Sequence, residues 1–151
     1  MFDCRGNRID SPCPSTNAKI CFLGDLTTQH TDTPDYLHSV KTGRVCDLRR
    51  GVVLEPEGTL TNNGTKGNPC LIADLFGDFR EELLLRTEDS SAIRIYMSTD
   101  ATTYKLHTLL HDVQYRCGVA WQNNCYNQPV YPSFYYAHDM DFRDVWQGMQ
   151  E

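Results

Sequence analysis

The most informative stretch for the fold is residues 83–97, which read LLLRTEDSSAIRIYM. It opens with the apolar run Leu83–Leu85, passes through the turn-forming residues Glu88–Ser91, and continues with Ile93–Met97, in which apolar and polar side chains alternate. A period of two is the pattern of a strand with one buried face. Two such runs separated by turn residues form an antiparallel hairpin. The stretch therefore predicts a β-hairpin.

Further strands are predicted on both sides of this hairpin. Short apolar runs occur at Ile20–Leu23 and Gly51–Leu54, and Tyr104–Leu110 and Cys117–Trp121 supply two more strand-length segments. No segment has a convincing helical period, so the predicted class is all-β within a single domain. Short, evenly spaced strands are typical of a sandwich, a barrel or propeller blades, and periodicity alone leaves these three architectures open.

Composition and charge exclude several classes of function. The chain has 151 residues and a formal net charge of -6, with a pI of about 5.3. Such a surface repels nucleic acid and anionic membranes. No run approaches the roughly 18 apolar residues of a membrane span, and Met1 is not followed by an apolar signal segment. We therefore expect no nucleic-acid partner and no membrane partner, and no signal peptide in this chain.

The seven cysteines favour free thiols over a metal site. None of them forms a Cys-x-x-Cys pair, which is the usual spacing of structural zinc sites. An odd number of cysteines cannot all pair within one chain, and several lie in apolar runs, where cysteine behaves as a small hydrophobic residue. We expect free, buried thiols.

Residues 73–83, ADLFGDFREEL, have the frame of the calcium loops found between propeller strands, with oxygen ligands at alternate positions. The candidate metal ligands are Asp74, Asp78 and Glu82. Phe76 stands where another carboxylate is expected, and calcium takes six to eight oxygens. The alternative is a structural turn in which Arg80 and Arg86 neutralise the acids.

Residues 123–132, NNCYNQPVYP, form a second candidate site, because this aromatic, amide-rich and proline-stiffened composition is typical of an ordered binding loop. Flat rings stack on sugar faces, and amides both donate to hydroxyl groups and accept from them. The candidate substrate-binding residues are Asn123, Tyr126, Asn127 and Gln128. The alternative is a polar loop that packs on its own side chains.

A third loop, residues 62–69, is rich in glycine and asparagine and contains Lys66. A single loop lysine is ordinarily a solvated surface residue. The residues alone therefore do not assign Lys66 a role.

Together these motifs resemble the C-terminal region of family 11 rhamnogalacturonan lyases in wording, order and spacing. The segments that carry the resemblance are Asn63–Lys66, Ala73–Glu82, Arg94–Tyr96, His111–Arg116, Val119–Asn123 and Tyr126–Pro129. The specific match covers residues 60–140, and weaker matches near the start extend it almost to Met1. The predicted domain is therefore residues 1–151, as the C-terminal part of the lyase domain.

The resemblance implies a fold and a weakness of that fold. Family members form an eight-bladed β-propeller from a much longer chain, so this chain would supply the terminal blades of an incomplete ring. A propeller protects its strand edges by closing the circle. We expect an isolated group of blades to self-associate through its open edges.

The resemblance also implies a reaction. Family 11 enzymes cleave rhamnogalacturonan I, a pectic polysaccharide, between rhamnose and galacturonic acid by calcium-assisted β-elimination. Lys66 matches the motif of the lysine that serves as the base, and the implied cofactor is calcium. The substrate is extracellular, which implies an extracellular or cell-surface location.

Part of the implied catalytic set has no counterpart here. The partner arginine and most calcium-ligating acids belong to family sequence upstream of Met1, and Phe22 and Leu23 stand where the family has a tryptophan and an acid. We therefore expect a lyase fragment that is inactive alone. The alternatives are a noncatalytic carbohydrate-binding or structural β-module and, third, a metal-dependent hydrolase, for which no specific carboxylate pair is found.

Overall fold

The computed structural model describes residues 2–3, 5–10, 16–32, 43–62, 68–124 and 130–143. Its elements are β1 (Thr16–Ile20), β2 (Gln29–Asp32), β3 (Arg44–Asp47), β4 (Gly51–Leu54), β5 (Thr59–Leu60), β6 (Leu71–Ala73), β7 (Glu82–Thr87), β8 (Ile93–Tyr96), a 3₁₀ turn (Leu109–His111) and the helix α1 (Val113–Trp121). The strands build two antiparallel sheets. The fold is therefore mostly β, as predicted, with α1 as the departure.

The first sheet is an antiparallel meander in the order β1-β2-β3-β4. Its last turn is held by Asp47, whose Oδ1 accepts hydrogen bonds from the backbone N–H groups of Arg49 and Arg50 at 2.8 and 2.9 Å. Gly51 follows with φ +77°, a left-handed conformation that glycine adopts without steric cost. The predicted strand Gly51–Leu54 is confirmed as β4.

The predicted strand Ile20–Leu23 is a strand only at Ile20, where β1 ends. After Ile20 the backbone is hydrogen-bonded by a side chain instead of by a neighbouring strand. Gln29 Oε1 accepts hydrogen bonds from the N–H groups of Phe22 and Leu23 at 2.9 and 3.0 Å. The buried N–H groups of Phe22 and Leu23 are therefore hydrogen-bonded without strand pairing, and the chain leaves the sheet after Ile20.

The second sheet is centred on β7, with β8 on one side and with β5 and β6 end to end on the other. The β7–β8 pair confirms the predicted hairpin. Leu60 pairs with Arg86 and Leu71 pairs with Leu84, so only one residue of β7, Leu85, separates the partners of the two strands. β5 and β6 are therefore one strand interrupted by a ten-residue excursion.

Two apolar clusters form the core. The first joins the two sheets and consists of Ala18, Ile20, Phe22, Leu23, Val45, Ile72, Leu83 and Leu85. The second lies under α1 and the segment that follows it, and consists of Leu26, Phe79, Leu109, Tyr115, Val130 and Met140. The helix is thereby part of the same folded body as the sheets.

A buried carboxylate joins the first sheet to α1. Glu81 is 0% exposed, and its Oε2 lies 3.2 Å from Lys19 Nζ and accepts from Cys21 N–H at 2.7 Å. Its Oε1 accepts from the Tyr115 hydroxyl at 2.7 Å, and that hydroxyl in turn accepts from Asp74 N–H at 3.0 Å. Burial lowers the Lys19 pKa, but the attraction of Glu81 reverses this and leaves it above its usual value.

The prediction that Cys117–Trp121 is a strand, and with it the absence of a helix, is wrong. These residues are the second half of α1, which begins after the N-cap Asp112, whose side chain accepts from Tyr115 N–H. Tyr115 is the fully buried residue of the helix and Trp121 is 68% exposed, so the apolar spacing carries little helical signal.

No helix in the described part of the chain is long and apolar enough to cross a membrane.

The prediction of a strand at Tyr104–Leu110 is also wrong. Residues 104–108 belong to no strand, and Leu109–His111 form the 3₁₀ turn. Burial nevertheless alternates along the segment, with Tyr104 and Leu106 half-buried against the second cluster and their neighbours exposed. The alternation of apolar and polar residues therefore matches the observed alternation of burial. It belongs to a segment that lies on the core without a strand partner among the described residues.

The thiol prediction holds for part of the set. Cys21 and Cys46 are buried thiols, and burial raises the pKa of Cys21 to about 12. Cys70 is half-buried, whereas Cys117 is exposed on α1. The other three cysteines lie outside the described residues.

Replacing Glu81 by methionine should lower the free energy of unfolding by about 3–5 kcal/mol, because it leaves the buried Lys19 ammonium without its counter-charge. Urea denaturation measures the loss. The double variant Lys19→Met/Glu81→Met should lose less than Glu81→Met alone, since both charges are removed together.

The control is the exposed pair between Asp141 and Arg143. Asp141→Asn should change stability by less than about 1 kcal/mol, because water screens an exposed pair. A double variant as unstable as Glu81→Met would contradict the coupling between Lys19 and Glu81.

Candidate functional site

The predicted site residues fall into two groups. Asn123 and the three acids Asp74, Asp78 and Glu82 lie in described parts of the chain. Lys66 lies outside the described residues, and so do Tyr126, Asn127 and Gln128. For these four residues, the structure describes the residues that flank their loops, which we call the roots of the loops.

The root of the Lys66 loop is closed by backbone bonds. Asn62 N–H donates to the Asn68 carbonyl at 2.7 Å, and Cys70 N–H donates to the Leu84 carbonyl of β7 at 2.9 Å. The Cys70 thiol adds a contact of 3.1 Å to Asn62 Oδ1. Asn62 and Asn68, which flank the segment with Lys66, are therefore held together beside β7.

Asn68 brings an unused acceptor to this root. Its side chain is 6% exposed, and its Oδ1 is buried without a hydrogen-bond partner among the described residues. A buried acceptor left unpaired costs about 1–3 kcal/mol. Such a group at the base of a loop is suited to accept from a donor that the loop or a ligand supplies.

The second loop is joined to the first by Asn123. This residue follows α1 with φ +61°, and its Nδ2 donates to the Pro69 carbonyl at 3.1 Å and to the Cys70 carbonyl at 2.7 Å. Next to it, Gln122 binds both backbone groups of Ile72 in β6. The start of the loop with the predicted sugar-binding residues thus lies against the end of the Lys66 loop.

In residues 73–83, which we call the aspartate loop, the Asp74 side chain forms hydrogen bonds to the backbone of its own loop. Asp74 Oδ1 accepts from Gly77 and Asp78 N–H at 2.8 and 3.0 Å, and Oδ2 accepts from Phe79 and Leu109 N–H at 3.2 and 2.7 Å. Burial raises the pKa of Asp74, and these N–H groups oppose the shift. Four backbone N–H groups and the Thr108 side chain therefore engage this carboxylate.

The other two acids are also engaged. Asp78 pairs with Arg80 through both oxygens, and Glu82 Oε2 accepts from Leu75 and Phe76 N–H at 2.7 and 3.2 Å. Burial raises the Glu82 pKa. Calcium needs six to eight oxygens, and within the described residues no three acidic, histidine or cysteine side chains are placed to hold a metal.

The arrangement of this loop therefore fits the structural turn, with Arg80 in its predicted role. Arg86 bonds Ser90 instead. The donor set does not fit calcium in this arrangement, and the ligand role of Asp74, Asp78 and Glu82 stays a prediction.

Several residues of the site region were missed from the sequence. Lys19 lies 5.1 Å from the centre of the Tyr131 ring while pairing with Glu81. Glu81, which was also missed, is buried like its neighbour Glu82, the predicted metal ligand, a fate that acidic side chains rarely have. No pattern in the sequence distinguishes such a pair from two solvated acids.

A comparison with protein families identifies the chain. The model of the rhamnogalacturonan lyase family 11, C-terminal domain, matches residues 1–145. The chain belongs to this family. The resemblance predicted from its motifs is confirmed.

Two curated relatives belong to the same group of lyases. The chain is 44% identical over 146 residues to rhamnogalacturonan exolyase YesX of Bacillus subtilis strain 168, covering 93% of this chain and 24% of that protein. It is 43% identical over 146 residues to rhamnogalacturonan endolyase YesW of the same strain, covering 93% of this chain and 22% of YesW. This lyase-family chain therefore spans about a quarter of the length of either relative.

Solved structures agree with the fold. The crystal structure of the exotype rhamnogalacturonan lyase YesX superposes with a TM-score of 0.82 at 45% identity, covering 91% of this chain and 24% of that one. The crystal structure of YesW gives a TM-score of 0.79 at 42% identity, with coverages of 93% and 24%. The Bacillus licheniformis rhamnogalacturonan lyase PL11 gives 0.76 at 40% identity, with coverages of 91% and 23%.

We expect millimolar calcium to leave the melting temperature of this chain unchanged, because the oxygens of Asp74 and Asp78 already serve N–H groups and Arg80. A ligand present at a hundred times its Kd would stabilise the fold by about 2.7 kcal/mol. Differential scanning calorimetry with calcium, and with magnesium as control, makes the comparison.

Asp74→Asn is the matched variant. Its amide nitrogen cannot accept, so two of the four N–H donors lose their partner, and the free energy of unfolding should fall by about 2–3 kcal/mol with or without calcium. A calcium-specific rise in melting temperature that Asp74→Asn abolishes would restore the metal-ligand role.

Proposed function

We propose that this chain is the portion of a rhamnogalacturonan lyase that supplies the catalytic base, Lys66, and one wall of the substrate cleft. The observation that carries the proposal is the junction formed by Asn123. Its side chain bonds the end of the Lys66 loop, while its backbone opens the loop with Tyr126, Asn127 and Gln128. Base and sugar-binding residues would then face one substrate.

The proposed reaction is β-elimination in rhamnogalacturonan I. The galacturonate carboxylate must be neutralised so that the C5 proton becomes acidic, and a base must take that proton. The C4–O4 bond then breaks to leave a double bond between C4 and C5, while O4 departs on the rhamnose and takes up a proton to become a hydroxyl group. Lys66 would accept the proton in its neutral form, which a neighbouring cationic group favours by lowering the lysine pKa.

Neutralisation of the substrate carboxylate is proposed to require calcium and an arginine from another part of a complete enzyme. The aspartate loop of this chain does not fit that task as arranged. The chain's net charge of -6 also opposes binding of a polyanion unless local positive charge is supplied. We therefore propose that the chain alone is inactive and that the complete lyase acts outside the cell or at its surface.

The two sheets are proposed to be neighbouring propeller blades. β8 pairs only with β7 among the described strands, and its residues Ile93 and Ile95 are 59% and 50% exposed. An edge strand with an exposed apolar row is a site for pairing with another chain. Self-association of the isolated chain through β8 follows.

A noncatalytic carbohydrate-binding module is the second candidate function. Trp121 and Tyr131 are exposed, and Trp121 directly precedes Gln122 and Asn123. Exposed rings beside amides are suited to stack on and bond sugars. Such a module would bind rhamnogalacturonan oligosaccharides without needing Lys66.

The catalytic proposal is tested in a chimera of YesX in which this chain replaces the matching 146-residue segment. The chimera should release unsaturated uronate from rhamnogalacturonan I, measured by ultraviolet absorbance, because the segment restores the base. Lys66→Ala should reduce the rate by at least about 100-fold, within the range for loss of a general base.

The matched control is Lys105→Ala, which removes an exposed lysine of a segment outside the two loops and should leave the rate unchanged. Full activity of the Lys66→Ala chimera would sink the assignment of the base. An inactive but folded chimera, together with oligosaccharide binding by the isolated chain in calorimetry, would favour the binding module.

Self-association is tested with Ile95→Lys in the isolated chain. A charge on the exposed row of β8 should shift the chain towards monomer, because an edge lysine opposes strand pairing. Sedimentation velocity over a concentration series measures the shift. Thr103→Lys, which adds the same charge at an exposed site away from β8, should leave association unchanged, and an equal effect of both variants would point to net charge instead.

A further inference from the structure

The outer edge of β6 is covered by a side chain rather than by a strand. Ile72 N–H donates to Gln122 Oε1 at 2.8 Å, and Gln122 Nε2 donates to the Ile72 carbonyl. The amide of Gln122 therefore reproduces both bonds that a neighbouring strand would make with Ile72. Both backbone groups of Ile72 are therefore hydrogen-bonded, and they are not open to pairing with another strand.

Asn123 extends this cover towards the Lys66 loop. Its Nδ2 bonds the carbonyl groups of Pro69 and Cys70, which are the last residues of the excursion before β6. The left-handed conformation of Asn123, with φ +61°, is one that asparagine adopts more readily than most residues. The two consecutive amides thus bond three residues of the opposite segment, Pro69, Cys70 and Ile72.

The helix that carries these amides is itself fixed. Tyr115 is fully buried, and its hydroxyl bonds both Glu81 and Asp74 N–H. The position of Gln122 is therefore set by the core and not by the loop that it touches. Gln122 is half-buried and follows the last helical residue, so its amide reaches β6 from a rigid support.

We propose that Gln122 is a positioning residue for the elimination, because it locks Ile72 of β6 and so fixes the point at which the chain returns to the sheet after the Lys66 loop. The inference rests on the proposed function of Lys66. Gln122 acts through backbone groups at the root of the loop, and it contacts neither the reacting atoms nor the substrate. It should govern the rate of proton abstraction more than the affinity for the polysaccharide.

The first test is hydrogen exchange of the isolated chain with Gln122→Met, which keeps the volume and removes both bonds. Exchange should accelerate at least about tenfold in peptides spanning residues 62–72, because a tenfold change corresponds to loss of about 1.4 kcal/mol of protection. Peptides of the β7–β8 hairpin should exchange as in the parent chain. Unchanged exchange at residues 62–72 overturns the inference.

The matched control is Gln114→Met. Gln114 lies on the same helix and also donates to backbone carbonyls, those of Tyr131 and Pro132. Its loss should affect exchange near residues 131–132 and leave residues 62–72 unchanged. Equal acceleration of residues 62–72 by both variants would show a general loosening of α1 and overturn the specific role of Gln122.

The second test is kinetic and uses the YesX chimera. Gln122→Met should lower kcat by at least about tenfold and change KM by less than about twofold, the pattern of an interaction that matters in the transition state. Gln114→Met should leave kcat unchanged; it controls for kcat alone, because its carbonyl partners lie in the predicted sugar-binding loop. A rise in KM at constant kcat would overturn the positioning role and indicate substrate binding.

Gln122→Glu provides a rescue that a purely structural loss would not show. The carboxylate accepts from Ile72 N–H but is repelled by the Ile72 carbonyl, so folding raises its pKa. Its protonated form donates as the amide does, and that stability is present below the unfolded pKa of about 4.3 and lost as pH rises through the folded value. The stability deficit relative to the parent chain should shrink as pH falls through this range, and a pH-independent deficit would overturn the two-bond role.

These tests separate the two proposals. A chimera without any Lys66-dependent activity contradicts the proposed function, while the exchange data still decide whether Gln122 fixes the root of the loop. Accelerated exchange with an unchanged kcat in an active chimera overturns the positioning role and leaves the function of Lys66 standing.

Discussion

The structure depends on the burial of one negative charge. Glu81 is closed off from water and meets three partners from two distant parts of the chain: the ammonium of Lys19 in β1 and the N–H of Cys21 directly after β1, and the hydroxyl of Tyr115 in α1. A buried carboxylate is tolerated only when its partners are in place. The sheets and the helix must therefore assemble together for Glu81 to be buried at all.

This requirement reaches the candidate site through Tyr115. Its hydroxyl is shared by Glu81 and the backbone of Asp74, so the helix and the aspartate loop are fixed to one another. Asp74 in turn gathers four N–H groups from its own loop and from the 3₁₀ turn. Asp74, a predicted metal ligand, thus organises backbone in this arrangement, and it does so beside the helix that Gln122 and Asn123 follow.

A strand interrupted by an excursion explains how a regular sheet can present the loop that carries the proposed base. β5 and β6 keep their pairing with β7 on both sides of residues 61–70, so the sheet supports the loop at both ends. The side-chain amide of Gln122 covers the outer edge of β6, which has no strand partner among the described residues. Rigid support on two sides is what a positioned lysine requires, since small displacements of a reacting group cost large factors in rate.

The sequence by itself determined the hairpin, the strand Gly51–Leu54 and the family, because these depend on local alternation, turn residues and motif order. It placed the sugar-binding candidate Asn123 in a loop, and it offered Arg80 as the partner of the aspartate loop. Local pattern, however, predicted strands where Tyr104–Leu110 runs unpaired over the core and where Cys117–Trp121 is helical. Only the tertiary structure decided these segments, because hydrogen-bond partners distant in sequence, such as Gln122 for Ile72, determine whether an extended or apolar segment joins a sheet.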